Sequence, residues 1–88
     1  MMMHDLYLYG RENCHLCDEM LSELEPLLQA TGYKCHTVKV DGDPELEQRY
    51  GARVPVLVGS GGRELCQFKL DRKAVTTYIS LGITGGKA

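Results

Sequence analysis

A chain of 88 residues has room for one small domain with a modest hydrophobic core, so we predict a single domain over residues 1–88. Apolar residues make up 43% of the chain and charged residues 25%, close to the averages of globular proteins, which argues against a disordered or collagen-like chain. The net charge is −2, there is no basic stripe, and no apolar run approaches a membrane span. We therefore expect neither nucleic acid nor a membrane as a partner.

Hydrophobic periodicity and turn residues predict four strands and three helices in the order βαβαββα. The predicted elements are a strand at residues 3–9, a helix at 18–30 capped by Asn13 or Cys14, a strand at 33–40, a helix at 45–50 started by Pro44, strands at 54–58 and 63–68, and a last helix that Asp71 caps and Gly82 closes. A helix joins the first two strands, so these should be parallel. The tight turn at 59–62 should make the last two antiparallel.

The four cysteines are not expected to form a disulfide scaffold, because their spacing would leave most of the chain without a disulfide cross-link. The first five residues contain an apolar stretch that is too short and too charged for a signal peptide. Both observations predict a cytoplasmic protein. Lone structural disulfides are rare in that compartment, and a close cysteine pair there is more often catalytic or metal-binding.

The motif Cys14-His15-Leu16-Cys17 lies between a predicted strand and a predicted helix. A cysteine in the first turn of a helix lies beside backbone N–H groups that have no partner within the helix. These groups and the helix dipole stabilise a thiolate, which is the form of cysteine that attacks disulfides. The motif therefore predicts a redox-active pair.

A metal site is the competing interpretation of the cysteine pair. A structural zinc ion needs four ligands, usually supplied as two close pairs. Cys35 and Cys66 form no second pair, and His4, His15 and His36 have no metal-like spacing. The strand–motif–helix context favours redox chemistry, and we predict no metal ligands. Cys35 and Cys66 lie on predicted strands and are interpreted as structural.

Three features make the chain resemble the glutaredoxin-like branch of the thioredoxin fold over nearly its whole length. They are the segment 9–17 after the first strand, Arg53-Val54-Pro55 at the start of the third strand, and the βαβαββα order. The resemblance implies a four-stranded mixed sheet with helices on both faces, hence an α/β, thioredoxin-like fold. It also implies a cis peptide bond between Val54 and Pro55, lying against the cysteine pair.

The resemblance further implies a role for each site residue. Cys14 is the expected nucleophile and Cys17 the residue that resolves the mixed disulfide. Arg11, Val54 and Pro55 are the predicted substrate-binding residues. The backbone of Val54 would pair with an extended substrate, and Arg11 would meet a carboxylate of glutathione or lower the pKa of Cys14. A plain surface arginine is the competing interpretation of Arg11.

For other residues near the motif, the sequence predicts opposing effects or more than one role. His15, if protonated, would favour the thiolate, whereas Asp18 and Glu19 would disfavour it. Arg49 and Arg53, like Gln48, could line the same groove, although solvent-exposed surface positions are favoured for them.

The chain departs from the resembling families at three places. Arg53 replaces a Thr that glutathione-using members usually carry, and residues 67–71 stand where those members have a Gly-Gly-x-x-Asp run. Leu8 occupies the position of the buried acid that thioredoxins use to assist the resolving thiol. The sequence therefore leaves glutathione open as the reductant.

The expected function is thiol–disulfide oxidoreduction, with no bound cofactor. The expected substrate is a disulfide in a protein or a small molecule, and a monomer is expected. Three alternatives stay open at this point. The pair could bind a metal or an iron–sulfur centre in a dimer, or it could sense oxidation. Alternatively, the domain could bind a partner through the strand edge at Val54 without catalysing a reaction.

Overall fold

The computed structural model describes residues 4–84, with residues 82–84 described as backbone only. The α-helices and strands follow the predicted order. They are β1 (Asp5–Gly10), α1 (His15–Leu28), β2 (Lys34–Lys39), α2 (Pro44–Tyr50), β3 (Val56–Val58), β4 (Glu64–Gln67) and α3 (Arg72–Thr84). Two 3-10 turns, Gly51–Arg53 and Ser60–Gly62, precede β3 and β4. The predicted start of the first strand, Met3, lies outside the described residues.

The four strands form one mixed sheet in the order β2-β1-β3-β4. The central strand β1 is parallel to β2 and antiparallel to β3, and β3 is antiparallel to β4. The four-stranded mixed sheet of the predicted α/β, thioredoxin-like fold is confirmed. Because Tyr9 is paired with Val56, the end of β1 and the start of β3 lie at the same end of the sheet. The segment 10–14 and the segment 54–55 therefore emerge side by side.

Strand β1 supplies apolar side chains to both faces of the sheet, as the period of two in a strand requires. Leu6 and Leu8 lie on one face and pack in a buried cluster with side chains of α1 and α3, among them Leu24 and Val75. Tyr7 and Tyr9 pack on the other face against a second buried cluster, formed by Val40, Tyr50, Val56 and Val58. Helices thus cover both faces of the sheet, as predicted.

Helix α1 buries Met20, Leu24 and Leu28, which recur at the spacing of one helical turn. Pro26 lies inside the helix. Proline has no N–H to donate to the preceding turn, so it weakens the last turn of a helix. The helix ends at Leu28, two residues before the predicted end at residue 30.

The predicted start of β3 and the predicted end of α3 are also wrong. Strand β3 begins at Val56 rather than at Val54, because proline cannot donate to a strand ladder and residues 54–55 lie before the paired segment. Helix α3 continues through Gly82 to Thr84. A glycine inside a helix costs only about 1 kcal/mol relative to alanine, which is too little to stop the helix by itself. The predicted cap is confirmed, since Asp71 Oδ1 accepts a hydrogen bond from the Ala74 N–H at 3.0 Å.

None of the helices in the described part, residues 4–84, is long and apolar enough to cross a membrane.

Candidate active site

Cys14 is the N-cap residue of α1, with extended backbone angles (φ −101°, ψ 104°) that place it just outside the first helical turn. The loop before it bends at Asn13, whose φ of 55° lies in the left-handed region that asparagine tolerates. Of the two predicted caps, Cys14 is therefore the observed one. The Cys14 and Cys17 sulfurs lie at disulfide distance, 2.05 Å apart, with 5.2 Å between the Cα atoms.

The backbone N–H of Cys17 donates a hydrogen bond to Cys14 Sγ at 3.1 Å. This donor is one of the first N–H groups of the helix, which have no carbonyl partner within it. A charged acceptor strengthens such a bond, so in the reduced pair this N–H favours the thiolate over the thiol at Cys14. Cys14 is half-buried whereas Cys17 is buried, so Cys14 is the more accessible sulfur.

Gly10, at the end of β1, lies directly against Cys17. A Cβ atom placed on Gly10 would be 2.8 Å from Cys17 Sγ and 3.2 Å from Cys17 Cβ, closer than ordinary carbon contacts. The predicted first strand stops at residue 9, just before Gly10, whereas the observed strand includes this glycine. A glycine inside a strand can also mark a close approach of another group, and this was the signal that could have identified its role.

A cavity of about 190 Å³ lies beside Cys17. It is large enough for water, and polar side chains contribute to its wall together with apolar ones. Its lining includes Leu8, Arg11, Asp18, Thr37 and Lys39. Leu8 is buried there, at the position where thioredoxins carry an acid.

The Val54–Pro55 peptide bond is cis, and it lies in the segment that emerges beside Gly10 at the end of the sheet. Val54 itself is extended (φ −63°, ψ 146°), which is a backbone conformation that can pair with another strand. The Pro55 carbonyl accepts a hydrogen bond from the Phe68 N–H at 2.9 Å. The proline segment is therefore tied to the loop that follows β4.

Arg11 is held by groups of its own chain. Its guanidinium donates to both carboxylate oxygens of Glu47, each at 2.7 Å, and to the Gly51 carbonyl at 2.9 Å, with Asp41 at 3.4 Å. A bidentate pair of this kind is a strong form of charged hydrogen bond. The contact of Arg11 with a substrate carboxylate stays a prediction, and such a ligand would compete with Glu47 for the guanidinium.

The Arg11 pair gives a pH prediction for stability. Hydrogen bonding from Arg11 lowers the pKa of Glu47 below its ordinary value of 4.5. A carboxyl whose pKa is lowered by folding adds stability above its unfolded pKa and loses that contribution as the pH falls through the folded pKa. We expect the urea midpoint to fall less in Glu47→Gln than in the parent when the pH is lowered from neutral to below 4.5.

The matched control is Glu25→Gln, which alters an exposed carboxylate on α1 and should follow the parent curve. The effect should be small, because the Arg11–Glu47 pair is partly open to solvent. Parallel curves for the parent and Glu47→Gln would contradict the prediction.

Arg53, which stands where the resembling families usually have Thr, is also held by its own chain. It donates to Glu64 at 2.7 Å and 3.1 Å, to Gln67 Oε1 at 2.8 Å and to the Arg49 carbonyl at 2.8 Å. Its guanidinium also lies 5.8 Å from the centre of the Tyr50 ring. These contacts tie the turn before Val54 to strand β4.

The sequence analysis also named His15 and the two cysteines outside the motif. His15 is largely exposed, and its Nε2 lies 2.8 Å from Glu19 Oε2. Cys35 and Cys66 are half-buried free thiols. Burial, together with the charge of Glu25, raises the pKa of Cys35 to about 11, and burial raises the pKa of Cys66. Both thiols therefore stay protonated at neutral pH and are poor nucleophiles.

The fold and the cysteine pair define a glutaredoxin-like protein of the thioredoxin superfamily. The sequence model described as "Glutaredoxin-like domain (DUF836)" matches residues 5–80, and the chain belongs to this family. No match was found among the curated proteins.

Solved structures of similar proteins agree with this assignment. The protein Ne2328 from Nitrosomonas europaea is 35% identical, with a TM-score of 0.78 over 89% of this chain and 93% of that one. The protein XcR50 from X. campestris is 39% identical, with a TM-score of 0.64 over 85% of this chain and 95% of that one. Thioredoxin 1 from Thermosipho africanus, at 13% identity, shares the fold, with a TM-score of 0.59 over 88% of this chain and 96% of that one.

Proposed function

We propose that this protein is a dithiol–disulfide oxidoreductase, with Cys14 as the nucleophile and Cys17 as the resolving residue. The observation that carries the proposal is the hydrogen bond from the Cys17 N–H to Cys14 Sγ at the start of α1. It puts a donor at the sulfur that would carry the negative charge. The greater exposure of Cys14 supports the same assignment of roles.

The reaction has two exchange steps. The Cys14 thiolate attacks one sulfur of the substrate disulfide, forms a mixed disulfide and releases the other substrate sulfur as a thiolate, which takes up a proton. Cys17 then loses its proton and attacks Cys14 Sγ. This forms the Cys14–Cys17 disulfide and releases the second substrate thiol. Two electrons pass from the protein to the substrate, and two equivalents of an external thiol, or one dithiol, return them and restore the reduced pair.

Two further features fit this reaction. The cavity beside Cys17 would let water reach a thiol that has to lose its proton. The extended Val54, next to the cis Pro55, offers backbone groups to an extended substrate segment. A reductive role suits a compartment in which thiols stay reduced, and we propose the cytoplasm. We also propose a monomeric, single-domain protein with no bound cofactor.

The proposal is tested by the alkylation rate of reduced Cys14 as a function of pH. The modified residue is identified by peptide mass mapping, with Cys35 and Cys66 as internal controls. We expect Cys14 to react with an apparent pKa clearly below the value of about 8.5 for free cysteine. The reduced protein should also reduce hydroxyethyl disulfide. A Cys14 pKa at or above the free value, or no disulfide reduction, would overturn the proposal.

A further inference from the structure

Two large apolar side chains are exposed on the two sides of a groove next to the cysteine pair. Leu16, between the two cysteines, is 41% exposed, and Phe68, after β4, is 43% exposed. The groove encloses about 200 Å³. Its wall consists of Leu16, Glu19, Met20 and Glu23 from α1 and of residues 68–70. The hydrogen bond from the Phe68 N–H to the Pro55 carbonyl connects it to the proline segment.

The backbone at Phe68 has a φ of 69°, in the left-handed region. A bulky L-residue is strained there, and glycine or asparagine is the usual occupant. Burial offsets this strain only in part, because 43% of the residue stays exposed. Strained residues of this kind concentrate where a protein binds a ligand. Phe68 therefore points to a binding role rather than to a role in the core.

The charge along the groove has a definite sign. Helix α1 has four acidic residues, which are Asp18, Glu19, Glu23 and Glu25. It has no Lys or Arg. Glu19 and Glu23 line the groove itself. Lys69 is the one basic residue among the residues that line it. Arg11 and Arg53, which are not among the residues that line the groove, are each bound to a carboxylate of the chain. The surroundings of the pair thus offer little attraction to an anionic ligand.

We propose that this groove binds the segment next to the disulfide of a peptide or protein substrate, and that it selects an apolar side chain flanked by Lys or Arg. Leu16 and Phe68 would contact the apolar side chain, and Glu19 and Glu23 would attract the basic one. Oxidised glutathione, an anionic peptide disulfide without apolar side chains, would be a poor substrate. The inference rests on the proposed disulfide reduction and names the substrate class for it.

The test compares the reduction rates of two short peptide disulfides by the reduced protein. The peptides have the same Leu-Cys core and differ only in whether Lys or Glu flanks it. Hydroxyethyl disulfide, which is small and neutral, serves as a reference for the chemistry alone. At low ionic strength, electrostatic attraction should make the Lys peptide react about tenfold faster than the Glu peptide. The ratio should shrink as salt is added.

Matched variants separate the two parts of the groove. Glu19→Gln combined with Glu23→Gln should reduce the preference for the Lys peptide, whereas Glu25→Gln, on the same helix but outside the groove, should keep it. Phe68→Gly relieves the backbone strain while removing the ring. It should therefore fold, and it should slow the reduction of both peptides by a larger factor than the reduction of hydroxyethyl disulfide.

The outcomes distinguish this inference from the function on which it rests. If hydroxyethyl disulfide and both peptides are all left unreduced, the proposed function fails together with the inference. If hydroxyethyl disulfide is reduced but the two peptides react at equal rates, only the inference is overturned. An equal loss of preference in Glu25→Gln, or faster reduction of oxidised glutathione than of the Lys peptide, would also overturn it.

Discussion

Replacing Cys14 with Ser is expected to abolish disulfide reduction, whereas replacing Cys17 with Ser is expected to stop the reaction at a mixed disulfide. A serine hydroxyl is a far weaker nucleophile than a thiolate, so Cys14→Ser should lower the rate by at least about a thousandfold. Cys17→Ser keeps the attacking thiolate, and its backbone N–H can still donate to Cys14 Sγ. Intact-mass measurement after mixing with a peptide disulfide should show one added peptide in Cys17→Ser and none in Cys14→Ser.

The free cysteines provide the control for this experiment. Cys35 and Cys66 are half-buried, and the pKa of each thiol is raised. Cys35→Ser and Cys66→Ser should therefore leave the reduction rate close to that of the parent. Two results would contradict the assignment of roles: an adduct on Cys14→Ser that maps to Cys17, or a Cys17→Ser variant that reacts through complete turnovers.

The helices and strands could be predicted because their signals are local. Leu6 and Leu8 alternate with polar or aromatic residues in β1, and Pro44 follows the capping Asp43 at the start of α2. Element boundaries are not local in this sense, because they depend on contacts with neighbouring elements. Gly82, for example, resembles a helix end in the sequence, yet α3 continues past it.

The cysteine pair was predictable for the same reason, since its spacing and its place before a helix are both local features. The environment of the pair was not. Arg11 is bound by Glu47, 36 residues away, and Arg53 by Glu64, 11 residues away. Such pairs form only when the fold brings two surfaces together, so the sequence could not distinguish a substrate-binding arginine from a paired one. The strained backbone of Phe68 has no sequence signature either.

Gly10→Ala is expected to destabilise the oxidised protein more than the reduced one. The new methyl group would lie 2.8 Å from Cys17 Sγ, so the backbone or the sulfur has to move. In the oxidised protein the sulfur is bonded to Cys14 and cannot rotate away, and overpacking of this kind typically costs about 1–3 kcal/mol. In the reduced protein Cys17 can adopt another rotamer, so the loss should be smaller. Urea unfolding of both forms measures the two losses.

The difference between these losses also predicts a redox effect. In a thermodynamic cycle, a variant that destabilises the disulfide form more than the dithiol form must be easier to reduce. For a two-electron couple, a difference of about 1.4 kcal/mol raises the reduction potential by about 30 mV. Equilibration with glutathione buffers, followed by thiol counting, should therefore show Gly10→Ala reduced at a higher ratio of oxidised to reduced glutathione than the parent.

A double-mutant cycle identifies the sulfur as the cause. In a background that carries Cys14→Ala and Cys17→Ala, the contact with Sγ is absent and only the 3.2 Å contact with Cys17 Cβ remains. Gly10→Ala should cost less there than in the oxidised parent, and a non-additive difference is the sign of direct contact. An equal cost in both backgrounds would instead trace the effect to the backbone of β1. Gly10 would then have no part in setting the potential of the pair.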